Sequence, residues 1–124
     1  MQSKIFKAML TEYNMKDYII GLVGEAKVLN SKVFSLPRIL ILTVLEKLGR
    51  DGSTYRELKA GLEMEDGTLF SNINVLEEMG YIKKEKVELD NKEMHSYWIT
   101  HEGIEALKAL RLWFKKWVDG DNNG

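Results

Sequence analysis

At Gly80 the spacing of apolar residues changes, and that change limits the folds open to the chain. Before it, Leu69, Ile73 and Leu76 recur at i, i+4 and i+7. This is one stripe of a helix running from about Asp66 to Met79. After it, Tyr81 to Leu89 and Met94 to Thr100 are rich in Tyr, Ile, Val and Trp, as half-buried strands are. Asp90-Asn91 supplies turn chemistry between them. Glycine takes the left-handed backbone that ends a helix at little cost. The spacing therefore predicts a helix that stops at Gly80 and hands over directly to a β-hairpin.

The preceding segments fix what that helix packs against. Thr54-Tyr55-Arg56-Glu57 has the form of a capping box, in which the threonine hydroxyl and the glutamate carboxylate satisfy free N–H groups at a helix start. A short helix burying Leu58 and Leu62 follows, then a tight connection at Glu63 to Asp66, where either Glu65 or Asp66 is placed to cap the next helix. Upstream, Leu36 to Leu48 is apolar nearly all round, as a central helix is. Its Pro37 suits a first turn, where a missing N–H costs nothing. Residues 49–52 (Gly-Arg-Asp-Gly) break the chain.

Ile5, Met9, Tyr13, Ile19, Ile20 and Val23 give the first thirty residues a helical spacing, weakened by Asn14, Gly21 and Gly24. A break or kink is expected near Asn14 to Asp17. At the other end Thr100 caps a last helix whose apolar residues are Ile104, Leu107, Leu110, Phe114, Trp117 and Val118.

A short helix, a tight turn, a second helix with a narrow buried stripe and a two-stranded wing make a winged helix-turn-helix. The expected class is α+β, mainly α, with flanking N- and C-terminal helices. The expected organisation is a helical extension over 1–30, the winged domain with a C-terminal dimerisation helix over 31–118, and a disordered polar tail over 119–124.

The function classes that drop out are several. There is no Cys, which removes disulfides, thiolate metal sites and cysteine nucleophiles and fits a reducing, cytoplasmic setting. His95 and His101 are the only histidines, with no third ligand in view, so no metal is expected. Ser53, His101 and Asp51 lack a nucleophile elbow and an oxyanion loop, and no phosphate-cradling glycine loop is present. Neither an enzyme nor a cofactor is expected. The longest apolar run, Ile39 to Leu45, is too short to span a bilayer.

The helix-turn-helix pattern itself points to nucleic acid. A helix with only Leu69, Ile73 and Leu76 buried leaves its other side for a major groove. Thr68, Ser71, Asn72 and Asn74 are the candidates for base edges, with Val75 beside them. Arg56 and Lys59 on the short helix and Lys83, Lys84, Lys86 and Lys92 on the wing are the candidates for phosphate. No Lys or Arg lies between Asp66 and Met79, and the net charge is −1. A protein–protein module built on the same fold is therefore the alternative to a DNA-binding regulator.

Four stretches also resemble the MarR/ArsR-type winged-helix regulators. They are residues 35–42 (SLPRILIL), residues 55–58 (YREL), residues 67–82 (GTLFSNINVLEEMGYI) and residues 98–103 (WITHEG). The resemblance implies a homodimer on near-palindromic double-stranded operator DNA, with the wing on backbone or minor groove and the terminal helices making the dimer. Ile5, Met9, Tyr13, Leu110, Trp113, Phe114 and Trp117 are the candidate dimerisation residues. The lack of a Cys or His cluster departs from the metal-sensing members. A small-molecule effector is compatible with this reading, and nothing in the sequence gives its chemistry.

Overall fold

The computed structural model of the chain describes residues 13–29, 33 and 35–120. The elements run α1 (Tyr13–Val28), α2 (Leu36–Leu48), a 3-10 turn (Gly49–Asp51), β1 (Ser53–Thr54), α3 (Tyr55–Leu62), α4 (Asp66–Glu78), β2 (Ile82–Leu89), β3 (Lys92–Ile99) and α5 (His101–Asp119). This is the expected α+β, mainly α, arrangement. They divide into two compact units. One comprises residues 31–108, the other α1 together with the chain from Ala109 onward.

In the first unit Ser35 accepts the Arg38 N–H and starts α2, with Pro37 in the first turn. The core gathers Ile41, Leu42 and Leu45 of α2, Leu58 of α3, Leu69, Ile73 and Leu76 of α4, Ile82, Tyr97 and Leu107. Each helix contributes one stripe, so the helices close on each other and on one face of the sheet. The Thr54 capping box is complete: its hydroxyl accepts the Glu57 N–H, and the Glu57 carboxylate accepts the Thr54 N–H at 3.0 Å.

The sheet has the order β1-β3-β2, all antiparallel. Ser53 and Thr54 pair with Tyr97 and Ser96, a strand that nothing in the local sequence announces. The hairpin turns at Asp90 and Asn91, both at positive φ, the backbone of a tight two-residue loop matched to strand twist. The second wing strand begins at Lys92, two residues earlier than expected.

The base of the wing is fastened twice. The Thr100 N–H donates to the Tyr81 carbonyl at 3.0 Å, and its hydroxyl donates to the Gly80 carbonyl at 2.6 Å while accepting the Gly103 N–H. Thr100 thus caps α5 as expected and also ties the end of the hairpin to its beginning. Gly80 takes φ +77, as the end of the preceding helix requires. Gly103 allows the close approach, since a Cβ there would lie 2.3 Å from the Tyr81 carbonyl oxygen.

In the second unit α1 is continuous through Asp17, so no break interrupts it near Asn14 to Asp17, where the sequence leads one to expect a break or kink. Contacts with α5 outweigh the weak local propensity. The Trp113 indole N–H donates to the Leu22 carbonyl at 3.0 Å, Tyr18 donates to the Lys116 and Trp117 carbonyls, and Lys116 pairs with Glu25 at 2.7 Å. The α5 helix extends to Asp119, the first residue assigned to the polar tail. Residues 121–124 of that tail lie outside the described residues.

Candidate nucleic-acid interface

The geometry of α4 sorts its residues into three groups. Leu69, Ile73 and Leu76 are buried against the core. At about 100° per residue, Phe70, Asn74 and Glu77 fall on one flank, and Thr68, Asn72 and Val75 on the other. Gly67, Ser71 and Glu78 lie outermost.

The wing borders the first flank and reaches Glu77 there, leaving Phe70 and Asn74 exposed. In the β2–β3 register Lys84 opposes Tyr97 and Lys86 opposes His95, while Lys83 opposes Trp98 and Leu89 opposes Lys92. Side chains alternate along a strand. Lys84 and Lys86 therefore share the face of Ile82 and Tyr97 that packs on α4, and Lys84 reaches Glu77 at 3.9 Å. Lys83 stands on the opposite face, 5.8 Å from the Trp98 ring centre and 3.5 Å from Glu85. Lys92 shares that opposite face. Residue type alone groups the four wing lysines together; the structure splits them into two pairs.

The second flank carries a residue that sequence reasoning missed. The Arg38 Nε–H of α2 donates to Asn72 Oδ1 at 2.8 Å, and the Asn72 amide donates to the Thr68 carbonyl at 2.7 Å. Both sides of the amide are engaged within the protein, so Asn72 acts first as a clamp between α2 and α4. Arg38 sets a positive group beside a helix that has none of its own. The signal for it is its place in the first turn of α2, but 34 residues separate it from Asn72.

The turn between α3 and α4 is also held by charge. Lys59 pairs with Asp66 at 2.9 Å, and the Tyr55 hydroxyl donates to the Asp66 carboxylate and carbonyl, each at 3.2 Å. The Lys59 hydrogen bond holds the Asp66 carboxyl below the usual carboxylate range. Neither Glu65 nor Asp66 caps α4 through its side chain; Asp66 turns to Lys59 and Tyr55 instead. Lys59 is thus committed to the turn, whereas Arg56 is exposed with no ion pair among the described residues. Burial, followed by the Asp66 hydrogen bond, raises the Tyr55 hydroxyl above its ordinary value.

Between α3, α4 and β3 lies an open cleft of about 500 Å³, lined by Tyr55, Arg56, Phe70, Met94, His95 and Tyr97 together with Thr54. Phe70 is 59% exposed there. Ser71 and Asn74 are exposed, and the Ser71 hydroxyl donates to the Thr68 carbonyl at 3.3 Å. Among the described residues no cluster of three metal-ligating side chains occurs, and no helix is long and apolar enough to cross a membrane.

Of the candidate dimerisation residues, Tyr13, Leu110, Trp113, Phe114 and Trp117 fall in the second unit. Ile5 and Met9 lie outside the described residues, and Tyr13 is the first residue of α1. Leu110 is buried within the single chain. Trp113, Phe114 and Trp117 form one aromatic cluster, with Trp113 and Trp117 stacked at 6.1 Å. Trp117 remains exposed, as do Leu112 and Val118 on α5 and Ile20 and Val23 on α1.

The architecture has known counterparts. A transcriptional regulator homologue from Pyrococcus horikoshii superposes with a TM-score of 0.65 at 24% identity, over 86% of this chain and 98% of that one. The S. aureus MepR–DNA complex gives 0.61 at 17% identity, over 94% and 86%. A PadR-like transcription factor from Bacteroides fragilis gives 0.55 at 18% identity, over 67% and 86%. No curated protein matches the sequence significantly. These likenesses bear out the expected winged helix-turn-helix fold. Residues 38–118 match the family described as winged helix DNA-binding domain, and the chain belongs to that family.

Proposed function

We propose that this protein is a transcription regulator that binds duplex DNA as a homodimer, with α4 in the major groove and the wing against the backbone. The observation that carries the reading is the asymmetry of α4. One stripe is buried and the remaining surface is open between the wing on one flank and Arg38 on the other. An α-helix presented in this way fits a major groove. Two such helices in a symmetric dimer would stand about one DNA turn, roughly 34 Å, apart. Occupying an operator in this manner blocks or recruits transcription, and no catalytic step is part of the reading.

The exposed apolar residues Ile20, Val23, Leu112, Trp117 and Val118 support dimerisation through the terminal helices. Large apolar side chains left exposed on both terminal helices of a small chain are material for an interaction surface. The acidic residues of α4 favour the second reading, a protein–protein module. Two of them are offset: Asp66 by Lys59 and Glu77 by Lys84. Glu78 lines a shallow cleft with Arg38, Val75 and Met79, so it too stands near a cation.

Selection from a pool of duplexes with a randomised central segment tests the regulator reading. Enrichment of a near-palindromic sequence, with two chains per duplex by sedimentation, is the expected result. Absence of any enrichment, together with a monomeric chain, would favour the protein module.

A further inference from the structure

The two asparagines of α4 differ in one respect that bears on what the helix can read. Asn72 has both ends of its amide engaged, by Arg38 and by the Thr68 carbonyl. Asn74 is exposed, and its amide makes no hydrogen bond among the described residues. One helical turn before Asn74, on the same flank, stands the exposed ring of Phe70. Side chains four apart on a helix are neighbours, about 5–6 Å between Cβ atoms. This flank therefore joins an uncommitted amide to an aromatic ring that lines the α3–α4–β3 cleft and is 59% exposed, at the wing side of the surface assigned to the major groove.

In the major groove adenine offers an acceptor at N7 and a donor at N6, which an asparagine amide matches with its two ends. Thymine offers a 5-methyl group, the one apolar feature of the four bases, and a phenylalanine ring is a suitable contact for it. Guanine and cytosine offer nothing that the ring would prefer. Bases rise about 3.4 Å per step along a strand, so the Phe70–Asn74 spacing covers about two steps.

We infer that Phe70 and Asn74 form the sequence-reading pair of this protein, Asn74 on an adenine and Phe70 on the methyl of a thymine one or two steps away. The inference rests on the DNA-binding reading above. It explains how a recognition helix without Arg or Lys discriminates between sequences. Bidentate arginine-to-guanine contacts are replaced by one amide and one methyl contact, and affinity for the backbone comes from the wing and from α2 and α3. A preference for A·T pairs at the positions these two residues meet follows.

The test uses the full chain and the duplex it enriches from the randomised pool. Each thymine of a half-site is replaced in turn by uracil, which removes only the methyl. Each adenine is replaced by 7-deazaadenine, which removes only N7. The parent should lose several-fold to about tenfold in affinity at one thymine and at one adenine no more than two steps away. Phe70→Ala should show a similar loss on the unmodified duplex and no further loss with uracil. Asn74→Ala should behave likewise toward 7-deazaadenine. Thermal melting establishes that both variants fold, and Phe70→Leu, which retains an apolar contact, should recover part of the thymine preference. If the variants respond to uracil and 7-deazaadenine as the parent does, the pair does not read bases and the inference is overturned while DNA binding stands. If the parent enriches no duplex at all, both the inference and the reading beneath it fail.

Discussion

The guanidinium Nε of Arg38 lies 2.8 Å from the Asn72 side-chain oxygen, joining the first turn of α2 to the middle of α4. The contact separates two residues that look equivalent in sequence. Asn72→Ala removes a partly buried hydrogen bond to a charged group and should cost about 1.5 kcal/mol of stability. It should weaken binding to enriched and scrambled duplexes by the same factor. Asn74→Ala should leave the melting temperature unchanged and weaken binding to the enriched duplex alone. Paired titrations with thermal melting read both effects, and a sequence-selective loss for Asn72→Ala would show that its amide leaves Arg38 for a base.

The wing lysines should separate by face. Lys86 is exposed on the α4 side of the hairpin and has no ion pair among the described residues. Lys86→Ala should weaken binding to every duplex and lower the salt slope by about one for each phosphate no longer neutralised. Lys83, over Trp98 on the opposite face, should leave the slope unchanged when replaced by Ala. Equal slopes for the two variants would contradict the placement of the wing.

Gly103 should tolerate no side chain. Its Cβ would lie 2.3 Å from the Tyr81 carbonyl oxygen and 2.8 Å from an Ile99 side-chain carbon. Overpacking against backbone costs about 1–3 kcal/mol, so Gly103→Ala should lower the melting temperature clearly. A methyl group added at Gly61 would meet nothing within 4 Å, and Gly61→Ala should stabilise α3 by up to about 1 kcal/mol. Denaturant unfolding of the two variants gives the comparison; similar effects from both would contradict the packing at the wing base.

Acid should loosen the start of α3. The Thr54 backbone N–H, and then its hydroxyl, hold the Glu57 carboxyl below its ordinary value. A group whose folded pKa is depressed contributes stability that is present above its unfolded value and lost as pH falls through the folded value. Stability should therefore fall below the usual carboxylate range, and Glu57→Gln should flatten that part of the profile. Thr54→Ala should cost about 1 kcal/mol at neutral pH. A profile unchanged by Glu57→Gln would remove the capping box from the account.

Local chemistry made much of this fold legible. The Thr54–Glu57 box, the Leu69-Ile73-Leu76 stripe, the positive φ of Gly80 and the turn at Asp90-Asn91 all depend on residues within a few positions of each other. What stayed hidden depends on partners far along the chain. Ser53 and Thr54 form a strand only because Tyr97 and Ser96 lie opposite. The first helix continues past Asn14 because Tyr18 and Leu22 are held by α5. In the candidate interface, residue types pointed to the right helix and hairpin, but neither the commitment of Asn72 to Arg38 nor that of Lys59 to Asp66 follows from them. Composition counts charges; it does not say which are already paired.

The central claim is that α4 and the wing meet duplex DNA, and the salt dependence of binding measures it most directly. Displacing counterions from phosphates makes log K fall linearly with log salt. The full chain, titrated with its enriched duplex between about 50 and 200 mM salt, should show this fall. The slope should be smaller for Lys86→Ala and unchanged for Lys83→Ala. Binding that is absent at the low end, or that does not change with salt, would contradict the account.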